Sequence, residues 1–125
     1  MAKQQGPDPT SDRPWFSGTE DFTGYMRLAH ERLRREGRPL RVLDIPAGLG
    51  QFAAALRADG HTVTPADLNL VAPDYVRADM NERLPFADGA FDAAVCLEGI
   101  EHLVDPLNLL SELIRVVRPG GIVVL

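Results

Sequence analysis

Two kinds of apolar patterning alternate along the chain. Short apolar runs, around Val42-Leu43 and at 91–97 and 122–125, have almost no polar interruption. Between and before them, apolar residues recur at spacings of three and four: Phe22, Tyr25, Met26, Ala29 and Leu33, then Leu49, Phe52, Ala53 and Leu56, then Leu107, Leu110, Leu113, Ile114 and Val117. A continuous run fits a strand covered on both faces, and the three-four spacing fits a helix with one buried face. Their alternation predicts an α/β fold with a doubly wound, mainly parallel, Rossmann-like sheet.

Punctuation residues set the expected boundaries. Ser17 and Glu20 have capping-box spacing and open an N-terminal helix over about 17–37, which Gly37 and Pro39 end. Asp59-Gly60 ends the next helix, and the strand that follows carries Asp67 at its end. A third strand over 74–78 delivers Asp79-Met80 to the same edge of the sheet. Asp105-Pro106 starts the last helix, Pro119-Gly120-Gly121 stops it, and a fifth strand begins at Ile122. Residues 1–16 are polar and proline-rich and read as a flexible tail. Residues 17–125 are enough for one domain, with its core over 40–125.

The chemistry concentrates where the first strand ends, in Arg41-Val42-Leu43-Asp44-Ile45-Pro46-Ala47-Gly48-Leu49-Gly50. Glycine permits positive φ and lets the backbone approach a ligand closely. Gly48-Leu49-Gly50-Gln51-Phe52-Ala53 also fits the dinucleotide fingerprint G-x-G-x-x-G/A, which makes a nicotinamide or flavin site a candidate. Asp44 opposes that reading, because a carboxylate ending the strand repels a pyrophosphate held at the next helix N-terminus. It attracts a nucleotide-like ligand that carries positive charge. Asp67 follows the glycines at the distance expected of a ribose ligand.

Asp44, Gly48 and Gly50 resemble the first motif of the class I S-adenosylmethionine-dependent methyltransferases, an acidic residue followed by x-Gly-x-Gly-x-Gly. Leu84-Pro85-Phe86-Ala87-Asp88-Gly89-Ala90-Phe91-Asp92 is similar to the family's LPF.D..FD segment, and Arg118-Pro119-Gly120-Gly121 to the RPGG before its fifth strand. The resemblance implies S-adenosylmethionine as cofactor and methyl transfer to a small-molecule acceptor. It places Asp44 near the cofactor ammonium and the turn of Ala47, Gly48 and Gly50 around the methionyl part. Asp67, with Leu68 beside it, would hold the ribose, Asp79 the adenine amino group and Met80 the face of the base, with Leu97 also at the cofactor. Pro46 departs from the motif: it replaces the first glycine and removes an amide donor. A non-catalytic S-adenosylmethionine-binding module or partner subunit is the alternative, and a NAD-dependent oxidoreductase a third.

Beyond the fourth strand, Glu98-Gly99-Ile100-Glu101-His102 leaves the sheet at its ligand edge. His102 is a candidate catalytic base for a hydroxyl or amine acceptor, or a histidine that braces the loop. Glu98-x-x-Glu101-His102 also resembles the metal motif of the small-RNA 2′-O-methyltransferases. That motif needs a further histidine beyond the fifth strand, so no metal is expected. In the family the N-terminal helix often closes over the acceptor, which would bring Trp15, Phe16 and Tyr25 to the pocket; packing as a surface helix is the other reading.

Composition narrows the partners. The formal charge of −5 argues against broad nucleic-acid binding, which relies on neutralising phosphates. Cys96 is the only cysteine, so no internal disulfide forms, and its apolar strand predicts an inert buried thiol. No apolar run reaches the length of a membrane span and the polar start lacks a signal-peptide core, which makes the cytoplasm the expected location. The resemblance implies seven strands where this sequence reaches the fifth, so the sheet is expected to be incomplete at its C-terminal end. An exposed fifth strand of Ile122-Val123-Val124-Leu125 predicts pairing with a partner chain or with a second copy.

Overall fold

The central strands are apolar on both sides because helices cover both faces of the sheet. The computed structural model describes Thr19 and residues 21–125. The tail, Trp15, Phe16 and the proposed capping box of Ser17 and Glu20 lie outside the described residues. The elements run α1 (Gly24–Arg34), β1 (Arg41–Asp44), α2 (Gln51–Ala58), β2 (Thr62–Asp67), β3 (Val76–Arg77), β4 (Phe91–Val95), a 3₁₀ turn (Ile100–His102), α3 (Pro106–Val116) and β5 (Val117–Val124). The sheet order is β3-β2-β1-β4-β5, and every neighbouring pair is parallel. This is the doubly wound arrangement expected from the sequence.

Side-chain alternation along the strands divides the core in two. Val42, Val63, Ala93 and Val95 pack with Phe22, Ala29 and Leu33 of the α1 region and with Phe52, Ala53 and Leu56 of α2. Leu43, Ile45, Ala94 and Cys96 point the other way, into Leu109, Leu113 and Val116 of α3. Phe91 breaks the alternation by joining the α3 side with Ala94 instead of Ala93 and Val95. The parity changes where the β4–β5 register shifts, between Phe91 and Ala93.

That shift also makes Gly121 irreplaceable by position. A Cβ there would sit 2.4 Å from Val117 Cγ1 and 2.5 Å from the Asp92 carbonyl oxygen. The RPGG stretch is thus the bulged first half of β5 more than a simple helix stop, and regular pairing resumes at Ile122 opposite Ala93. Below it, Asp92 ties three strands together. It accepts from the Arg41 amide at 2.8 Å, from the Arg41 guanidinium at 3.1 Å and from Arg118 Nε at 2.9 Å. Those hydrogen bonds, Arg41's first, hold its carboxyl well below the usual carboxylate range.

Three helical expectations need correction. α1 begins at Gly24, with Thr23 as N-cap accepting from the Met26 amide. Leu49 precedes α2 and is half exposed, so it belongs to the glycine turn and not to the buried helix face. In α3 the buried positions are Leu109, Glu112, Leu113 and Val116, while Leu107 and Ile114 are exposed and Val117 already belongs to β5. The reason is Glu112, a buried acid that apolar periodicity cannot count. Its Oε1 accepts from the Leu84 amide at 2.7 Å and from Arg115 Nη2 at 2.8 Å.

Candidate functional site at the carboxyl edge of the sheet

The strand order reverses between β1 and β4, and the chain leaves β1, β2 and β4 at the same edge. In open parallel sheets ligands bind in the crevice at such a switch point. Two cavities occupy it. The larger, ≈ 320 Å³, is bounded by Asp44, Ala47, Gly48, Asp67 and Leu97 together with Tyr25, Met26, Leu49, Gln51, Phe52 and Glu98. The second, ≈ 270 Å³, is bounded by Leu68, Asp79, Met80, Asn81, Gly99 and His102, among others. Pro46 and Asp67 line both, so the two are halves of one elongated crevice.

Hydrogen bonds fix the glycine turn. Gly48 and Gly50 hold φ of 57° and 91°, which a Cβ would strain. The Ala47 amide donates to the Ala66 carbonyl at 2.9 Å, and the Gly48 amide donates to Asp67 Oδ2 at 2.9 Å. Neither bond draws on position 46, so the turn survives the proline that replaces the expected glycine. The Tyr75 hydroxyl donates to the Gly48 carbonyl at 2.7 Å and anchors the turn from below. Burial pushes the Tyr75 phenol up to about 12. Gly50 serves as the N-cap of α2 without a side-chain cap and lines neither cavity.

Asp44 is buried, and its Oδ2 has no hydrogen-bond partner. Burial, then the charge of Asp67, raises its pKa to about 7, against a smaller opposing pull from Arg57. An uncompensated buried carboxyl beside a cavity favours a cation or hydrogen-bond donor as its partner. Asp67, at the end of β2, also accepts from the Asn69 amide at 3.1 Å. A carboxylate has about four acceptor sites, so capacity remains for ligand hydroxyls. Asp79 accepts from the Asn81 amide at 2.9 Å, and Asn81 Oδ1 in turn accepts from the Val104 amide at 3.0 Å, which ties the post-β3 loop to the segment before α3.

The candidate residues therefore separate by position. Asp44, Ala47, Gly48 and Leu97 face the larger cavity, while Leu68, Asp79, Met80 and His102 face the second. His102 thus stands on the Asp79 side, its side chain 81% exposed and 3.6 Å from Glu101. Glu98 turns to the larger cavity, where the Tyr25 hydroxyl donates to its Oε1. The two glutamates of the ExxEH segment are accordingly engaged separately. Among the described residues no group of three or more His, Cys, Asp or Glu is placed to hold a metal ion. Sequence reasoning missed the Tyr25–Glu98 contact and the Tyr75 anchor. Both join residues far apart in the chain, and no local motif signals them.

Comparison with known proteins gives the family. Residues 43–125 match the family model described as "Methyltransferase domain". A demethylmenaquinone methyltransferase of Beutenbergia cavernae is 39% identical over 120 residues, covering 88% of this chain and 45% of the relative. A malonyl-[acyl-carrier protein] O-methyltransferase of Erwinia pyrifoliae is 39% identical over 109 residues, covering 77% of this chain and 41% of the relative. Among solved structures, the Burkholderia thailandensis 1,6-didemethyltoxoflavin-N1-methyltransferase, with bound 1,6-didemethyltoxoflavin and S-adenosylhomocysteine, superposes with a TM-score of 0.65 at 26% identity. The match covers 78% of this chain and 49% of that one. The chain spans less than half the length of these curated relatives. On the family match, the sheet order and the motifs at its carboxyl edge, the chain belongs to the class I S-adenosylmethionine-dependent methyltransferases.

Proposed function

We propose that the crevice holds S-adenosylmethionine and that the chain takes part in methyl transfer to a small-molecule acceptor. The observation that carries this reading is Asp44, a buried carboxyl with an unpartnered oxygen at the edge of the larger cavity. It suits the ammonium of the methionyl part. Asp67, shared by both cavities, suits the ribose between them, and Asp79 with Met80 and Leu68 suits the adenine. When bound, S-adenosylmethionine supplies an activated methyl group on a sulfonium. The protein's contribution is then to fix donor and acceptor in line, and proximity of this kind provides much of the rate.

Demethylmenaquinone and 1,6-didemethyltoxoflavin, named for two of the relatives, are small molecules and support that acceptor class. His102 is less well placed to act on an acceptor than its sequence position suggests, because it lines the half assigned to adenine.

Asp67→Ala tests the pocket. Losing a charged acceptor shared by ribose hydroxyls lowers affinity for S-adenosylhomocysteine by about tenfold to a hundredfold. The change in melting temperature with ligand reads this directly. An unchanged ligand-induced shift in the variant would remove Asp67 from the site.

A further inference from the structure

We infer that the Tyr25–Glu98 pair is the acceptor-recognition element, and that it selects an acceptor presenting a hydroxyl or amine hydrogen-bond donor over one presenting a carboxylate. The inference rests on the cofactor reading above and deepens it. Asp44 and Asp67 sit at the ends of β1 and β2, on the floor that reading gives to the cofactor. Tyr25, from α1, and Glu98, just past β4, line the same cavity from other elements and are joined by a hydrogen bond. Met26 and Phe52 add apolar lining to it. A flat or aliphatic acceptor body has a surface to lie on, with one polar pair to orient it.

Charge decides which acceptor fits. Asp44, Asp67 and Glu98 line this cavity, and among the described residues that line it there is no Lys, Arg or His. None of these described residues neutralises an acceptor carboxylate, and the glutamate repels it. The Tyr25 hydroxyl donates to Oε1 of Glu98, so the phenol oxygen and the other carboxylate oxygen present acceptors to an incoming N–H or O–H. Tyr25 positions the glutamate from α1, and Glu98 makes the discriminating contact. Glu98 is exposed at the rim, so its substitution leaves the core untouched.

Nuclear magnetic resonance titration of the chain saturated with S-adenosylhomocysteine tests this, using benzylamine, benzyl alcohol and benzoate as probes matched in shape. Benzylamine is expected to bind about fivefold tighter than benzoate, the scale of one exposed charge interaction, with saturable shifts of the Tyr25 ring. Glu98→Gln brings the two affinities together, and Tyr25→Phe narrows the gap part way. Melting curves of both variants matching the wild type exclude a folding defect. Equal binding of benzoate and benzylamine by the wild type, an unchanged ratio in Glu98→Gln, or no saturable contact of any probe with Tyr25 would overturn the inference. The failures are separable: absence of S-adenosylhomocysteine binding in the first step strikes the cofactor reading, whereas bound cofactor with unselective probes strikes only the role of Glu98.

Discussion

A carboxyl group at the end of a central strand loses most of its hydration, and at Asp44 the nearby Asp67 adds repulsion to that loss. Its pKa of about 7, against an ordinary 3.8, means that the folded chain binds this proton more tightly than the unfolded chain. The contribution of Asp44 to stability is therefore full below the unfolded value and is lost as pH rises towards about 7. His61 acts in the opposite sense. Its Nδ1 accepts from the Leu40 amide at 3.0 Å, and burial lowers its pKa, so its contribution is present above 6.5 and lost as pH falls below that value. Thermal melts of the ligand-free chain from about pH 5 to 8 are expected to show a decline towards high pH that Asp44→Asn removes. An identical slope in wild type and variant would contradict this account of Asp44. The same titration makes affinity for a cationic ligand rise through about pH 7, because only the ionised carboxylate attracts it.

The segment 84–92 shows how an element is held where no regular structure holds it. Arg115 of α3 donates to the Leu84 carbonyl at 3.0 Å, the Phe86 carbonyl at 2.8 Å and Asp88 Oδ1 at 2.8 Å, while Glu112 holds both Arg115 and the Leu84 amide. The Phe86 and Phe91 rings meet edge to face at 5.2 Å beneath it. This brace explains why an Asp88 in a loop belongs to the same pattern as the helix that follows. Glu112→Ala leaves the Leu84 amide and a guanidinium without their partner, and a loss of about 3 kcal/mol is expected from urea denaturation. A loss within about 0.5 kcal/mol, the range of ordinary surface changes, would mean that the brace contributes nothing. Apolar periodicity located α3, and the Asp105-Pro106 pair its cap, whose Oδ1 accepts from the Asn108 amide at 3.2 Å. It turned the buried face towards Leu107 and Ile114 because the face is built partly from Glu112, a charged residue that holds the Leu84 amide 28 positions earlier in the chain.

At the scale of the molecule, the parallel sheet was legible because apolar strands and amphipathic helices alternate, and because each strand that reaches the crevice ends in a polar or glycine-rich signal. Asp44, Asp67 and Asp79 do stand along one edge, in the order the sheet dictates. Their division between two joined cavities, and the placing of Glu98 apart from His102, depend on how α1 and the 3₁₀ turn lie over that edge, which no local pattern encodes. In sequence, Pro46 departs from the glycine motif and removes an amide donor. In the fold, the turn amides that form bonds come from Ala47, Gly48 and Gly50, so the pocket keeps its form. This crevice is expected to select an adenosyl amino acid over a dinucleotide. Titration calorimetry of the wild-type chain with S-adenosylhomocysteine and, separately, with NAD measures that choice. Saturable binding of S-adenosylhomocysteine at micromolar concentrations with none of NAD is expected; binding of NAD alone, or of neither ligand, would contradict the account.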